Sequence, residues 1–148
     1  MNDKLNIEIL KPEGVSEPQG LYNHAIAVSP GKLLFIAGQV AIDQNNQFVG
    51  PREFDVQMEQ IFKNLGRILE SAGASFEHVV KFTTYLIRTQ DIRGFYEKRQ
   101  KIFSEIYPDG RYPTNTLVVV DQLAREEWLI EIEAFAAISM IEYLRRIQ

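Results

Sequence analysis

The chain contains no cysteine, one tryptophan and only two histidines, His24 and His78, in 148 residues. Without cysteine there is no disulfide, thiolate metal site or cysteine nucleophile, and the composition fits a cytoplasmic address. Two histidines far apart in the chain do not suggest a metal site. Neither has an adjacent serine or an acid partner in the sequence, so no nucleophile triad is expected. Basic residues are also short: 16 Lys+Arg face 20 Asp+Glu, a formal net charge of −4. That field does not favour phosphate backbones, and the one basic run, Arg145-Arg146, reads as a solvated tail. No apolar run approaches the roughly 20 residues of a membrane span. The opening Met1-Asn2-Asp3-Lys4 carries charge where a secretory leader would carry an apolar core.

What is present is an ordinary globular composition, 45% hydrophobic and 24% charged. The length predicts one domain, residues 1–148, able to bury about 68–70% of its unfolded surface. Neither repeats nor low-complexity linkers interrupt it. Pro12, Gly14 and Pro18-Gln19-Gly20 predict an extended arm or loop at the start. Strands are expected over 25–28 and 32–37, joined as a hairpin through Ser29-Pro30-Gly31-Lys32. Ile61, Phe62, Leu65, Ile68, Leu69 and Ala72 recur at helical spacing, predicting a helix over 55–71 with Asp55 as N-cap and Gly73 as its stop. Residues 79–87, dense in β-branched and aromatic side chains, predict a buried strand. Asp91 is placed to cap a second helix carrying Ile92, Phe95, Tyr96, Arg99, Ile102, Phe103 and Ile106 in one stripe, closed by Pro108, Gly110 and Pro113. Strands over 116–120 and 129–137 follow, and 138–148 read as a C-terminal extension with a short helix carrying Met140, Ile141, Leu144 and Ile147.

The order β-β-α-β-α-β-β best forms an α+β two-layer sandwich, a mixed sheet with two helices on one face. Alternation along the last strand puts Ile130, Ile132, Ala134 and Ala136 on the helix side. Leu129, Glu131, Glu133 and Phe135 then point the other way. A face that mixes large apolar groups with carboxylates is better covered by another subunit than by water.

Several ordered segments resemble the Rid family, also called the YjgF or L-PSP endoribonuclease family. They are Gly20-Leu21-Tyr22-Asn23-His24-Ala25, Leu34-Phe35-Ile36-Ala37-Gly38-Gln39-Val40, Gln57, Asn64-Leu65, and Leu69-Glu70-Ser71-Ala72-Gly73. The rest are Val79-Val80-Lys81-Phe82-Thr83-Thr84-Tyr85-Leu86, Tyr107-Pro108, Pro113, and Ile130-Glu131-Ile132-Glu133-Ala134-Phe135-Ala136. The resemblance implies a chorismate-mutase-like subunit in a homotrimer with clefts between subunits. It also implies cofactor-independent, metal-free hydrolysis of reactive enamines and imines of small metabolites. Matched position by position, Glu131 takes the water-positioning place and Tyr22 lines the cleft. The family's Pro-x-Arg-Ser/Thr motif reads Pro113-Thr114-Asn115-Thr116 here, so the chain is a divergent member with Asn115 where an arginine grips the substrate carboxylate. Neutral hydrogen bonds contribute roughly 0.5–1.5 kcal/mol against about 1.5–3 for charge-assisted ones. The substrate expected is therefore not a standard 2-imino acid, unless Arg111 or Arg125 supplies the charge.

Each candidate has a plainer reading beside it. Glu131 is either the acceptor that aims water or an exposed or ion-paired strand carboxylate. Asn115 is a ligand donor or a strand-start residue satisfying a turn. Tyr22 closes the cleft or packs at an edge, and Gly38-Gln39 approaches a ligand or merely ends a strand. Gln57 and Asn64, seven apart and so on one helix face, read as structural hydrogen-bond partners, and Glu133, Trp128 and Phe135 as interface contacts. Three functions follow: an enamine/imine deaminase, a non-catalytic trimer that binds a small metabolite, and, remotely, a ribonuclease or translation inhibitor, against which the acidic balance argues.

Overall fold

A computed structural model describes residues 5–29 and 31–146, without the side chain of Arg146. The expected readings at Met1-Asn2-Asp3-Lys4, Pro30 and Ile147 lie outside them. The elements are β1 (Ile7–Leu10), β2 (Ala25–Val28), β3 (Lys32–Gln39), α1 (Phe54–Ser71), β4 (Val79–Leu86), α2 (Asp91–Ile106), β5 (Thr114–Val119), β6 (Ile130–Ile138) and α3 (Met140–Arg146). The principal sheet has the order β3-β6-β4-β5. Strand β6 runs antiparallel to both β3 and β4, while β4 and β5 are parallel. Parallel neighbours need a long crossover, and α2 supplies it between β4 and β5. The fold is an α+β sandwich with a mixed sheet, as the order of elements predicts.

Two expectations are corrected. The opening segment is not all arm: Ile7–Leu10 forms β1, and it pairs with β2 from Ile7↔Val28 to Leu10↔Ala25. Consequently β2 and β3 do not form a hairpin. β2 belongs to a separate two-stranded sheet, whereas β3 lies against β6 with Phe35 opposite Phe135.

Both crossover helices cover one face. Ile130, Ile132, Ala134 and Ala136 turn inward and share a core with Met58, Ile61, Leu65 and Leu69 of α1 and with Phe95 and Phe103 of α2. Burying each such Leu, Ile or Phe side chain contributes about 1.5–3 kcal/mol. Phe62, Phe82 and Phe103 meet at centroid distances of 5.9–6.2 Å and tie the two helices to β4. The helix ends differ slightly from expectation. Glu53 precedes α1 without a side-chain cap, while Gly73 at φ 73° ends it in the left-handed turn that glycine allows. Asp91 is the first residue of α2, and its carboxylate receives a two-bond clasp from Arg88 at 2.6 and 2.8 Å.

Gln57 and Asn64 are structural, as expected, though not partners of one another. Gln57 Nε2 donates to the carbonyls of Gly50 and Glu127 and its Oε1 accepts from the Leu129 amide. Asn64 Nδ2 donates to the carbonyls of Val40 and Ile42. Together they anchor the loop after β3 and the chain entering β6 to α1. Among the described residues no helix is long and apolar enough to cross a membrane.

Candidate functional site

The outward face of the sheet carries the acidic pair. Alternation on β6 turns Glu131 and Glu133 away from the helices, and the register sets Tyr85 of β4 opposite Glu131. Tyr85 Oη donates to Glu133 Oε1 at 3.2 Å. Glu131 is half-buried, and this burial, reinforced by the Glu133 charge, raises its carboxyl above the usual carboxylate range. Burial also raises the Tyr85 phenol, with the Glu133 charge adding to it.

Gly38 explains how Glu131 is accommodated. The β3–β6 register shifts between Ile36 and Gln39, and within that irregularity Gly38 comes up against the Glu131 side chain. A Cβ on Gly38 would lie 2.7 Å from Cδ and 2.9 Å from Cγ of Glu131, and closer still to its carboxylate oxygen. The absence of a side chain there leaves the space the carboxylate occupies. Gln39 instead stands opposite Ile132, and its amide turns back to the Ala37 carbonyl at 3.1 Å.

Around this pair the outward face carries exposed apolar groups alongside Thr83, opposite Glu133, and Lys81, opposite Phe135. Phe35 is 74% exposed, Leu33 and Phe135 are exposed too, and the two phenyl rings meet edge-on at 5.3 Å.

Tyr22 and Asn115 occupy a different place. Asn115 lies opposite Phe82 in the β4–β5 register, on the helix side of the sheet, and its Oδ1 accepts from Thr84 Oγ1 at 3.2 Å. Asn23, next to Tyr22, ties this flank to the approach to β5: its amide donates to the Pro113 carbonyl and its Nδ2 to that of Tyr112. One chain therefore groups Glu131 with Gly38 on the outward face, and sets Asn115 on the other side. Neither expected substitute cation is engaged at Asn115. Arg111 Nη2 donates to the Ile7 carbonyl, and Arg125 stacks 5.7 Å from the Trp128 ring.

The guanidinium that lies on the helix side is Arg99, which the sequence reading placed in the α2 stripe without a role. It is 2% exposed, and its Nε has no hydrogen-bond partner. His78 also departs from expectation, because folding supplies it with a serine and an acid. Its Nδ1 lies 3.1 Å from the Ser75 amide and 3.2 Å from Ser75 Oγ, and its Nε2 lies 3.7 Å from Glu142 Oε1. The Ser75 amide already occupies Nδ1 as a cap on the turn Phe76–His78, so the ring is not placed to activate the hydroxyl. This cluster borders a cavity of about 630 Å³ between β1 and α3, lined by Ile7, Ile9, His78, Ile141 and Glu142 among others. No group of three or more His, Cys, Asp or Glu able to hold a metal occurs among the described residues.

Comparison with known proteins agrees with the fold and its elements. The family model for Endoribonuclease L-PSP matches residues 14–138, leaving β1 and α3 outside the match. A RutC family protein of Pyrococcus abyssi is 35% identical over 129 residues, 87% of this chain and 95% of that protein. The 2-iminobutanoate/2-iminopropanoate deaminase of Mus musculus is 32% identical over 117 residues, 79% of this chain and 81% of that one. Among solved structures, the Rid family protein YyfB of Yersinia pestis superposes with a TM-score of 0.79 at 32% identity, covering 90% of this chain and 99% of that one. The chain belongs to the Endoribonuclease L-PSP family, the RutC or Rid proteins.

Proposed function

We propose that the protein is a cofactor-independent enamine/imine deaminase that acts on a small metabolite in a cleft completed between three copies of the chain, in the cytoplasm. The observation that carries this reading is Glu131, a half-buried carboxylate seated against Gly38 on a face otherwise rich in uncovered apolar groups. Hydrolysis of a C=N bond needs a hydrogen-bond acceptor that aims water at the carbon and takes its proton. The water oxygen bonds to carbon as the π pair moves to nitrogen. The proton held by Glu131 then passes to nitrogen, giving a carbinolamine; its hydroxyl proton next moves by way of Glu131 to the same nitrogen as the C–N bond breaks and the C=O bond forms, and a carbonyl product and ammonia leave. A raised pKa suits this role, since the same group must accept and return a proton near neutral pH. The name of the mouse relative supports the reaction class.

A homotrimer accounts for the exposed Leu33, Phe35 and Phe135, which water alone should not cover. Asn115 bears on the substrate: it offers neutral hydrogen bonds only, so the ligand is not held as a standard 2-imino acid is. The same residue favours a second reading, a trimer that binds a metabolite without turnover. A ribonuclease function has the formal net charge of −4 against it.

Ammonia release from a panel of enamines and imines generated in place, by wild type and Glu131→Gln, separates these readings. Wild-type turnover with a loss of about 10²–10⁴-fold in the variant supports the deaminase. Equal rates remove Glu131 from the mechanism, and binding without turnover establishes the second reading.

A further inference from the structure

We propose that Arg99 of α2 binds the carboxylate of the substrate, supplying from a helix the charge that β5 lacks at Asn115. This deepens the deaminase reading above and rests on it for the identity of the site. A fully buried arginine is rare unless paired. Arg99 is 2% exposed, yet its Nε has no hydrogen-bond partner, and none of the ion pairs among the described residues includes it. Rings surround it instead: its Cζ lies 5.0, 5.1 and 5.7 Å from the centroids of Tyr96, Phe95 and Phe103. Such contacts stabilise the charge but accept none of the hydrogen bonds a guanidinium donates. The burial lowers its pKa, with the phenols of Tyr96, Tyr22 and Tyr112 opposing the shift.

The location fits the role. Phe103, one turn along α2, lies 6.2 Å from Phe82, which stands opposite Asn115 in the sheet. From the other side, a Cβ on Gly20 would lie 3.0 Å from Arg99 Nη2. Gly20 is exposed, so the missing side chain leaves one edge of the guanidinium directly beneath the surface, beside Tyr22. A planar carboxylate matches that donor fork with two parallel bonds, which a lysine or an asparagine cannot provide.

Pyruvate, methyl pyruvate and inorganic phosphate, titrated into the wild-type protein by calorimetry and followed at the arginine Nε–H resonances, test the proposal. Expected is pyruvate binding that moves the Arg99 resonance, no such shift with the neutral ester, and weaker binding of phosphate. Arg99→Gln should weaken pyruvate binding at least tenfold, with Arg99→Lys between the two. No pyruvate binding, equal binding by the glutamine variant, an Arg99 resonance that does not move, or phosphate bound as tightly would each overturn it. Should the variants fail to fold, the wild-type resonance decides. A wild type that binds pyruvate through Arg99 yet releases no ammonia from any imine defeats the deaminase reading and leaves this one standing.

Discussion

Replacing Gly38 with alanine probes the candidate site with a single methyl group. Gly38 is not among the glycines at positive φ, so its backbone accepts a side chain, and the obstacle to the new Cβ is Glu131. Ordinary carbon contacts lie at about 3.5–4.0 Å. The added Cβ would fall 2.7 Å from Glu131 Cδ and 2.9 Å from Cγ, so the glutamate must withdraw by about 1 Å. Misplacing a catalytic group by that distance costs roughly 10²-fold in rate. The stability change should be smaller, because overpacking of about 1–3 kcal/mol is partly offset by about 0.4–1 kcal/mol from a less flexible unfolded chain. Ammonia release and thermal melting on the same preparation give both quantities. A second comparison sharpens the test, since Gly38→Ala should cost little further activity in a Glu131→Gln background. A folded Gly38→Ala protein with the wild-type rate would refute the placement of Glu131 in the mechanism.

The raised pKa of Glu131 makes kcat/KM rise with pH, because only the carboxylate accepts the water's proton, with a midpoint above the ordinary value of about 4.3. Glu133→Gln removes one cause of that elevation and should move the midpoint down; an unmoved midpoint contradicts the electrostatic account. Gln57→Ala, which deletes two buried hydrogen bonds and one part-buried one, should lower unfolding stability by about 2–4 kcal/mol in urea denaturation, and a loss below about 1 kcal/mol would show that those bonds are not stabilising. Since Arg99 lies on the helix side and Glu131 on the outward face, Arg99→Gln and Glu131→Gln chains refolded together at equal amounts should recover activity in about a quarter of their sites, where intact residues of neighbouring copies meet. No recovery from two inactive variants would place both residues in a site within one chain.

The parts of the fold that could be read from sequence were those governed by local period. The apolar stripes of α1 and α2 and the alternation from Ile130 to Ala136 each state which side is buried, and the structure buries those sides. What escaped was decided by partners distant in the chain. β1 alternates over only four residues and becomes a strand through pairing with Ala25–Val28. The sequence Ser29-Pro30-Gly31-Lys32 has the local chemistry of a hairpin, but β3 gains its pairing from β6, about a hundred residues later. One acid beside His78, Glu142, comes from α3, more than sixty residues later.

At the site, the alternation that turned Glu131 outward was legible, whereas the opposite side of Asn115 depends on the parallel β4–β5 register, which no motif specifies. Arg99 was hidden by its own spacing. Within an apolar stripe it passes for a solvated cation at the margin, and only the aromatic rings closing round it show a buried charge.

The mass of the assembled protein at micromolar concentration bears most directly on the account, because a chamber around Glu131 exists only if neighbouring copies cover the face carrying Phe35 and Phe135. Sedimentation equilibrium should return three times the 17.1 kDa of one chain, and Phe35→Asp should shift the population toward single chains with loss of activity. A wild-type protein that sediments as one chain would contradict the account.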